Sequence, residues 1–265
     1  MSTKKNSNVA NTIPSANRST YQTVRKAFEN ASRMMTDSGY GLKSTVEVLV
    51  DPNLPFMGYS MPREKGYRIV VSGGAIDSGL LEGLLTHEMS HIFRMENNHP
   101  SHDADTIQAS IDKIPRSLSE DYQQKIVHDL LNDIQDLYAD DIAMKVIRKS
   151  PAVEPGQLSL FLQDWVKDDP VKSDDLRRDR WMNASIMVHN ARALGQMTRH
   201  NIEDTGGKAA SSNKRFLSKI PPRMTAHFPY FLDLMINLKE NMTRDQYRRL
   251  LADYLSRFLE IAEKN

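Results

Sequence analysis

The stretch His87-Glu88-Met89-Ser90-His91 constrains this chain more than any other. Leu81, Leu84, Leu85, Ile92 and Met95 recur around it at the spacing of one helical stripe, so a helix is its predicted host. Two imidazoles at i and i+4 then project from neighbouring turns of one face, close enough to bind a single zinc ion at about 2.0–2.1 Å. Glu88 stands one residue on, which sets its carboxylate beside the metal rather than at it. From there it can take a proton from an activated water, the general-base role of an HExxH arrangement. The competing reading of the same residues is a buried amphipathic helix that carries two surface histidines.

The surroundings predict a small sheet beside that helix. Tyr67-Arg68-Ile69-Val70-Val71-Ser72 is rich in β-branched residues and reads as a strand, Gly73-Gly74 as a turn, and Asp77 or Ser78 as the helix N-cap. A second strand covers Thr45 to Val50 and is closed by Asp51-Pro52, with a loop containing Phe56, Tyr59 and Gly66 between the two. Upstream, Ser19 and Gln22 fit a capping box for a helix carrying Tyr21, Val24, Phe28, Ala31 and Met35, which Gly39 ends. Residues 1–18 are polar and are expected to be a disordered tail.

Beyond His91 the helix is expected to stop near Asn97-Asn98-His99-Pro100, because proline disfavours helix in the residue before it. His99 and His102 offer two more imidazoles, either as metal ligands or as parts of a capped turn. A second long helix is predicted from about Leu118 to Lys149, with a Ser117/Glu120 capping box and a core stripe of Tyr122, Ile126, Leu130, Ile134, Leu137 and Val146. Asp129, Asp133, Asp136 and Asp140 share one face of it, with few lysines nearby, so a cation would relieve their repulsion. A solvated acidic face is the plainer alternative.

Catalytic zinc commonly takes three protein ligands and keeps a position open for water, so two histidines leave one ligand to find. The order strand, turn, HExxH helix resembles the zincin metallopeptidases, in which the strand before the active helix forms the rim that pairs with extended substrate. Asp136-Leu137-Tyr138-Ala139-Asp140 resembles the second motif of the gluzincin peptidases among them. That resemblance implies Asp136 as third metal ligand and Asp140 as the partner that orients a zinc-bound histidine, with Asp133 as the reserve ligand. The chain departs from the gluzincins in having aspartate where glutamate is usual, and the shorter side chain requires the two helices to approach more closely. Residues 67–146, with HEMSHIFRMENNHPSH and IQDLYADDIA as the resembling phrases, also look like a group of uncharacterised archaeal HExxH proteins.

The rest of the chain sets bounds. Its 265 residues suffice for one large domain or two small ones, and Lys+Arg 35 against Asp+Glu 34 leaves no electrostatic case for nucleic acid or an anionic membrane. Without cysteine, zinc here must be held by nitrogen and oxygen. No stretch approaches a membrane span and no apolar leader is evident, so a cytoplasmic protein is expected. Residues 151–173 read as a connector or flap, and three helical patterns follow at about 174–203, 223–240 and 244–263, the last with a Thr243/Gln246 capping box. Asp204 to Lys214 reads as a mobile Gly- and Ser-rich loop.

The fold expected is therefore α+β, mainly helical and zincin-like. It comprises a catalytic core over 19–150 with a small sheet beside the active helix, and a helical C-terminal region over 174–265 packed on that core. The expected function is a metallopeptidase with one Zn2+ per chain, held by His87, His91 and Asp136, and Glu88 as general base, acting on a peptide or protein substrate. The alternative is a non-catalytic metal-binding protein of the same fold that binds a protein partner. Tyr138, His189, His200 and Tyr230 are the available donors for oxyanion stabilisation, and none is singled out.

Overall fold

The computed structural model describes residues 15–112, 118–149 and 155–263. The chain runs α1 (Ser15–Asp37), β1 (Val46–Asp51), β2 (Gly58–Pro62), β3 (Tyr67–Ser72), α2 (Gly73–Ile76), α3 (Leu81–Glu96), a 3-10 turn (Pro100–His102), α4 (Ala104–Ile111) and α5 (Asp121–Ile147). It continues through α6 (Pro155–Trp165), α7 (Leu176–Arg199), a short 3-10 turn, α8 (Lys208–Lys219), α9 (Pro222–Thr225), α10 (Phe228–Asn237) and α11 (Arg244–Glu263). The molecule is mainly helical with one three-stranded sheet of order β1-β3-β2, β1 parallel to β3 and β2 antiparallel to it. No described helix is long and apolar enough to cross a membrane.

Two apolar cores meet on α5. Ile126, Leu130, Ile134 and Leu137 pack with α7, α10 and α11 residues such as Trp181, Phe231 and Phe258. One further turn along, Ile142 and Val146 join the other core, with Val24, Ala31 and Met35 of α1, Ile69 and Val71 of β3, and Leu85, Met89 and Ile92 of α3. The aspartates of α5 lie between these stripes.

Several local expectations change. The loop with Phe56 and Tyr59 contains β2, whose alternation was masked by glycine, serine and proline. Because β1 and β2 flank β3, the strand before α3 is central, and the two edges of the sheet belong to β1 and β2. Gly73 and Gly74 begin α2, capped by the Ser72 side chain, which accepts from the Ala75 amide at 3.1 Å. Neither Asp77 nor Ser78 is the N-cap of α3; that position is Leu80, whose amide donates to Ser78 Oγ. α1 starts before Ser19, so Ser19 and Gln22 lie inside it, and Tyr21 faces solvent. It ends as expected, with Gly39 at φ 87° and the Tyr40 amide bonded back to Met35.

Ser117 and residues 1–14 of the expected tail lie outside the described residues. α5 instead starts at Asp121, with the Gln123 side chain accepting from the Glu120 amide at 3.2 Å. The expected connector holds α6, whose Leu162 joins Ala193, Met197 and Ala209 in a small core of its own. Most of the expected 204–214 loop is the first half of α8, because Asp204 accepts from the Ala209 and Ala210 amides and starts a helix there.

Candidate metal centre

α3 and α5 pack directly against each other and bring three donors together. His87 and His91 stand one turn apart on α3 with their Nε2 atoms 3.0 Å from each other. From α5, Asp136 Oδ1 lies 3.3 Å from His91 Nε2 and 3.8 Å from His87 Nε2, so the helices are close enough for the shorter acidic side chain. Among the described residues these three form the group whose donor atoms, one from each, all lie within 4.8 Å of one another. A tetrahedral ion with ligands at about 2.0–2.1 Å holds those ligands about 3.3 Å apart. The observed separations bracket that value, and two imidazoles with one carboxylate are donors that zinc accepts, so the residues fit the ion.

Each donor is held from behind. His87 Nδ1 is 2.7 Å from Asp140 Oδ1, and the other Asp140 oxygen accepts from Gln196. Asp136 Oδ2 accepts from Arg192 Nη2 at 3.0 Å, which leaves Oδ1 to face the histidines. Arg192 also donates to Asp133, so the reserve ligand is turned onto the guanidinium and is absent from the donor group. At the rim, Lys125 takes Asp129 at 2.7 Å. The acidic row of α5 is thus neither a solvated face nor left to a metal alone, because α7 supplies a buried cation to its middle.

The charges follow from these contacts. Burial pulls the His87 imidazole down, but the carboxylates of Asp140, Asp136 and Glu88 outweigh it and hold His87 at about 9. A metal must displace that proton, so its binding is coupled to pH. Burial pushes the Asp136 carboxyl up, yet Arg192 and the two histidines hold it well below the usual carboxylate range, as an ionised carboxylate. At Asp133 burial prevails and raises the carboxyl to about 6. Arg192 stays firmly cationic despite its burial, because Asp133, Asp136 and Asp140 surround it.

His99 and His102 are not among the donors. His102 Nε2 sits 2.7 Å from His91 Nδ1, on the far side of that ring. Of the four side chains available for oxyanion stabilisation, none lines the cleft. Tyr138 donates to the Lys239 carbonyl, Tyr230 to Asp253, His200 lies beside Asp141, and His189 stacks on Trp165. The roles of Arg192, Gln196 and His102 escaped the sequence reading. The signal available for the first two was an arginine and a glutamine one turn apart on the largely apolar buried face of α7.

A cleft of about 880 Å³ opens over the donors, bordered by Phe56 to Ser60 of the β2 strand and its approach and by His128, Asn132 and Gln135 of α5. Glu88 lines it and is 4% exposed; its carboxylate makes no hydrogen bond among the described residues. An adjoining apolar cavity of about 350 Å³ reaches the same histidine and aspartate between Leu84 and Gly83 of α3, Ala143 and Ile147 of α5, and Leu158 and Phe161 of α6. Along β2, the Ser72 amide donates to the Met57 carbonyl, so Met57, Tyr59 and Met61 face β3, and the backbone groups of Gly58 and Ser60 face outward to the cleft.

The chain belongs to the family described as Family of unknown function (DUF5781), whose model matches residues 18–260. No curated protein and no solved structure matches the chain. The matched span takes in α3 and α5, which carry the donors, and also α7, which carries Arg192 and Gln196.

Proposed function

We propose that the protein is a zincin-like, gluzincin-type metallopeptidase that binds one Zn2+ through His87, His91 and Asp136 and hydrolyses peptide bonds. The observation that carries this reading is the convergence of those three donors beside the unbonded Glu88 carboxylate, under a strand edge with free backbone groups. When bound, zinc supplies Lewis acidity to a water and to the substrate carbonyl. Glu88 takes the proton that the attacking water loses and passes it to the leaving amine. Asp140 keeps His87 oriented through Nδ1, and Arg192 keeps one oxygen of Asp136 turned inward. Gly58 and Ser60 align an extended peptide by strand addition, and the apolar cavity receives one large aliphatic or aromatic side chain next to the scissile bond. Asn132 and His128, one and two turns before Asp136 and 3.1 Å apart through Nδ2 and Nδ1, are among the side chains of the cleft that could face a developing oxyanion.

A closed site with a fourth protein ligand would favour the alternative, a non-catalytic metal-binding protein of the same fold that binds a partner. His99 and His102 were the candidates, and both are engaged behind His91. The test is elemental analysis of tag-free protein with His91→Ala, Asp136→Ala and Glu88→Gln. Near one zinc per chain, lost in the first two and kept in the third, together with peptide cleavage absent only from Glu88→Gln among the metal-loaded forms, is the expected result. No zinc uptake at micromolar metal overturns the reading.

A further inference from the structure

His91 is backed by a hydrogen-bonded chain in which the direction of every proton can be worked out from its ends. His99 Nε2 lies 2.8 Å from the Glu240 backbone carbonyl, which can only accept, so this nitrogen carries the proton. His99 Nδ1 takes the Ser101 amide at 3.3 Å, and an amide can only donate, so Nδ1 is the bare nitrogen. Both ends of the ring agree. Ser101 Oγ, 2.7 Å from His99 Nδ1, must then donate its hydroxyl proton there. With that proton spent, Oγ accepts from His102 Nδ1 at 2.7 Å. His102 Nε2 is therefore bare and accepts from His91 Nδ1 at 2.7 Å. His91 Nδ1 therefore carries a proton, and Nε2, the atom that faces His87 and Asp136, is the nitrogen left for a metal.

We infer that His102, Ser101 and His99 are positioning residues that hold His91 in its metal-binding tautomer, with the polarity of the chain set by the Glu240 carbonyl. This rests on His91 being a metal ligand only for its consequence; the tautomer itself is a property of the metal-free protein. The anchoring carbonyl is 141 residues from His99 in sequence, so its loop needs fixing, and it is fixed on three sides. Tyr138 donates to the Lys239 carbonyl at 3.0 Å, while Arg94 at 3.3 Å and Lys145 at 3.2 Å clamp the Glu240 carboxylate from α3 and α5. His87 is oriented by a carboxylate, and His91 by this neutral chain, which adds no further negative charge beside the metal.

The test is long-range 1H–15N correlation of the metal-free protein with 15N-labelled imidazoles, at a pH where the rings are neutral. Protons on Nδ1 of His91 and His102 and on Nε2 of His99 are expected; a His91 Nδ1 that lacks its proton, wholly or in part, overturns the inference whatever the protein catalyses. Zinc affinity, read by chelator competition, is the second measurement. Ser101→Ala removes the relay and is expected to weaken zinc about 10–100-fold. His99→Gln, whose amide can donate to the carbonyl and accept from Ser101, is expected to restore most of it relative to His99→Leu. Equal zinc affinity in wild type and Ser101→Ala, with the fold intact by circular dichroism, overturns it. Absence of zinc binding in the wild type with the tautomers as expected would sink the peptidase reading and leave the tautomer assignment standing.

Discussion

Asp136 divides its two oxygens between an arginine and a pair of histidines, and that division is where this site is made. A carboxylate row on one helix face costs energy unless something opposite neutralises it, and Arg192 does so from inside the protein, with only 5% of its side chain exposed. Arg192→Met is therefore expected to cost about 3–5 kcal/mol in urea unfolding, because it strands buried carboxylates. A loss under about 1 kcal/mol would mean that Asp133 and Asp136 do not depend on it. Glu88 carries no such structural duty. Glu88→Gln should leave zinc content and unfolding midpoint nearly unchanged while lowering kcat by about 10²–10⁴-fold, as removal of a general base does.

The helices show why single residues at their crossings matter. Gly83 sits in the first turn of α3, where a Cβ would meet nothing nearer than Ile147 Cδ1 at 3.7 Å. Gly83→Ala should thus stabilise the fold by about 0.5–1 kcal/mol through helix propensity and a less entropic unfolded chain. Gly83→Leu should fill the apolar cavity and shift cleavage toward smaller side chains, seen in a peptide library as lost preference for large apolar residues. α6 closes that cavity and is held to α7 by Trp165, which stacks on His189 at 5.6 Å between centroids and lies under Arg192 at 4.9 Å. Burial, aided by Arg192 and Lys167, pulls His189 from 6.5 down to about 4. Between those values the unfolded chain binds the extra proton and the folded one does not, so stability rises with pH across that window. The contribution is complete above about 6.5 and lost as pH falls through about 4, and His189→Phe should flatten that part of a melting-temperature profile.

At the scale of the molecule, α5 belongs to both cores, so the sheet region and the C-terminal helices cannot be parted without exposing one of them. A fragment of residues 19–150 would leave Ile126, Leu130, Ile134 and Leu137 without their α7, α10 and α11 neighbours. It is expected to lack cooperative thermal unfolding and to bind a hydrophobic dye, whereas the full chain melts in one transition by fluorescence and circular dichroism alike. A monomeric fragment with a sharp transition would refute this.

The features readable along the chain were those with a local physical cause. Apolar spacing of 3.6 residues marks α3 and α5, and residues at i, i+4 share a face, so His87 and His91 could be paired and Asp129, Asp133, Asp136 and Asp140 placed on one face before any fold was known; the choice of Asp136 and Asp140 among the four came from the gluzincin resemblance. Periodicity says which face of a helix is buried but not what it is buried against. Arg192 meets Asp136 from 56 positions away, His99 finds a carbonyl 141 positions away, and β2 becomes a strand because β3 offers it an edge. The compensation of a buried charge and the orientation of a buried imidazole are settled through space, by partners that chain order does not reveal.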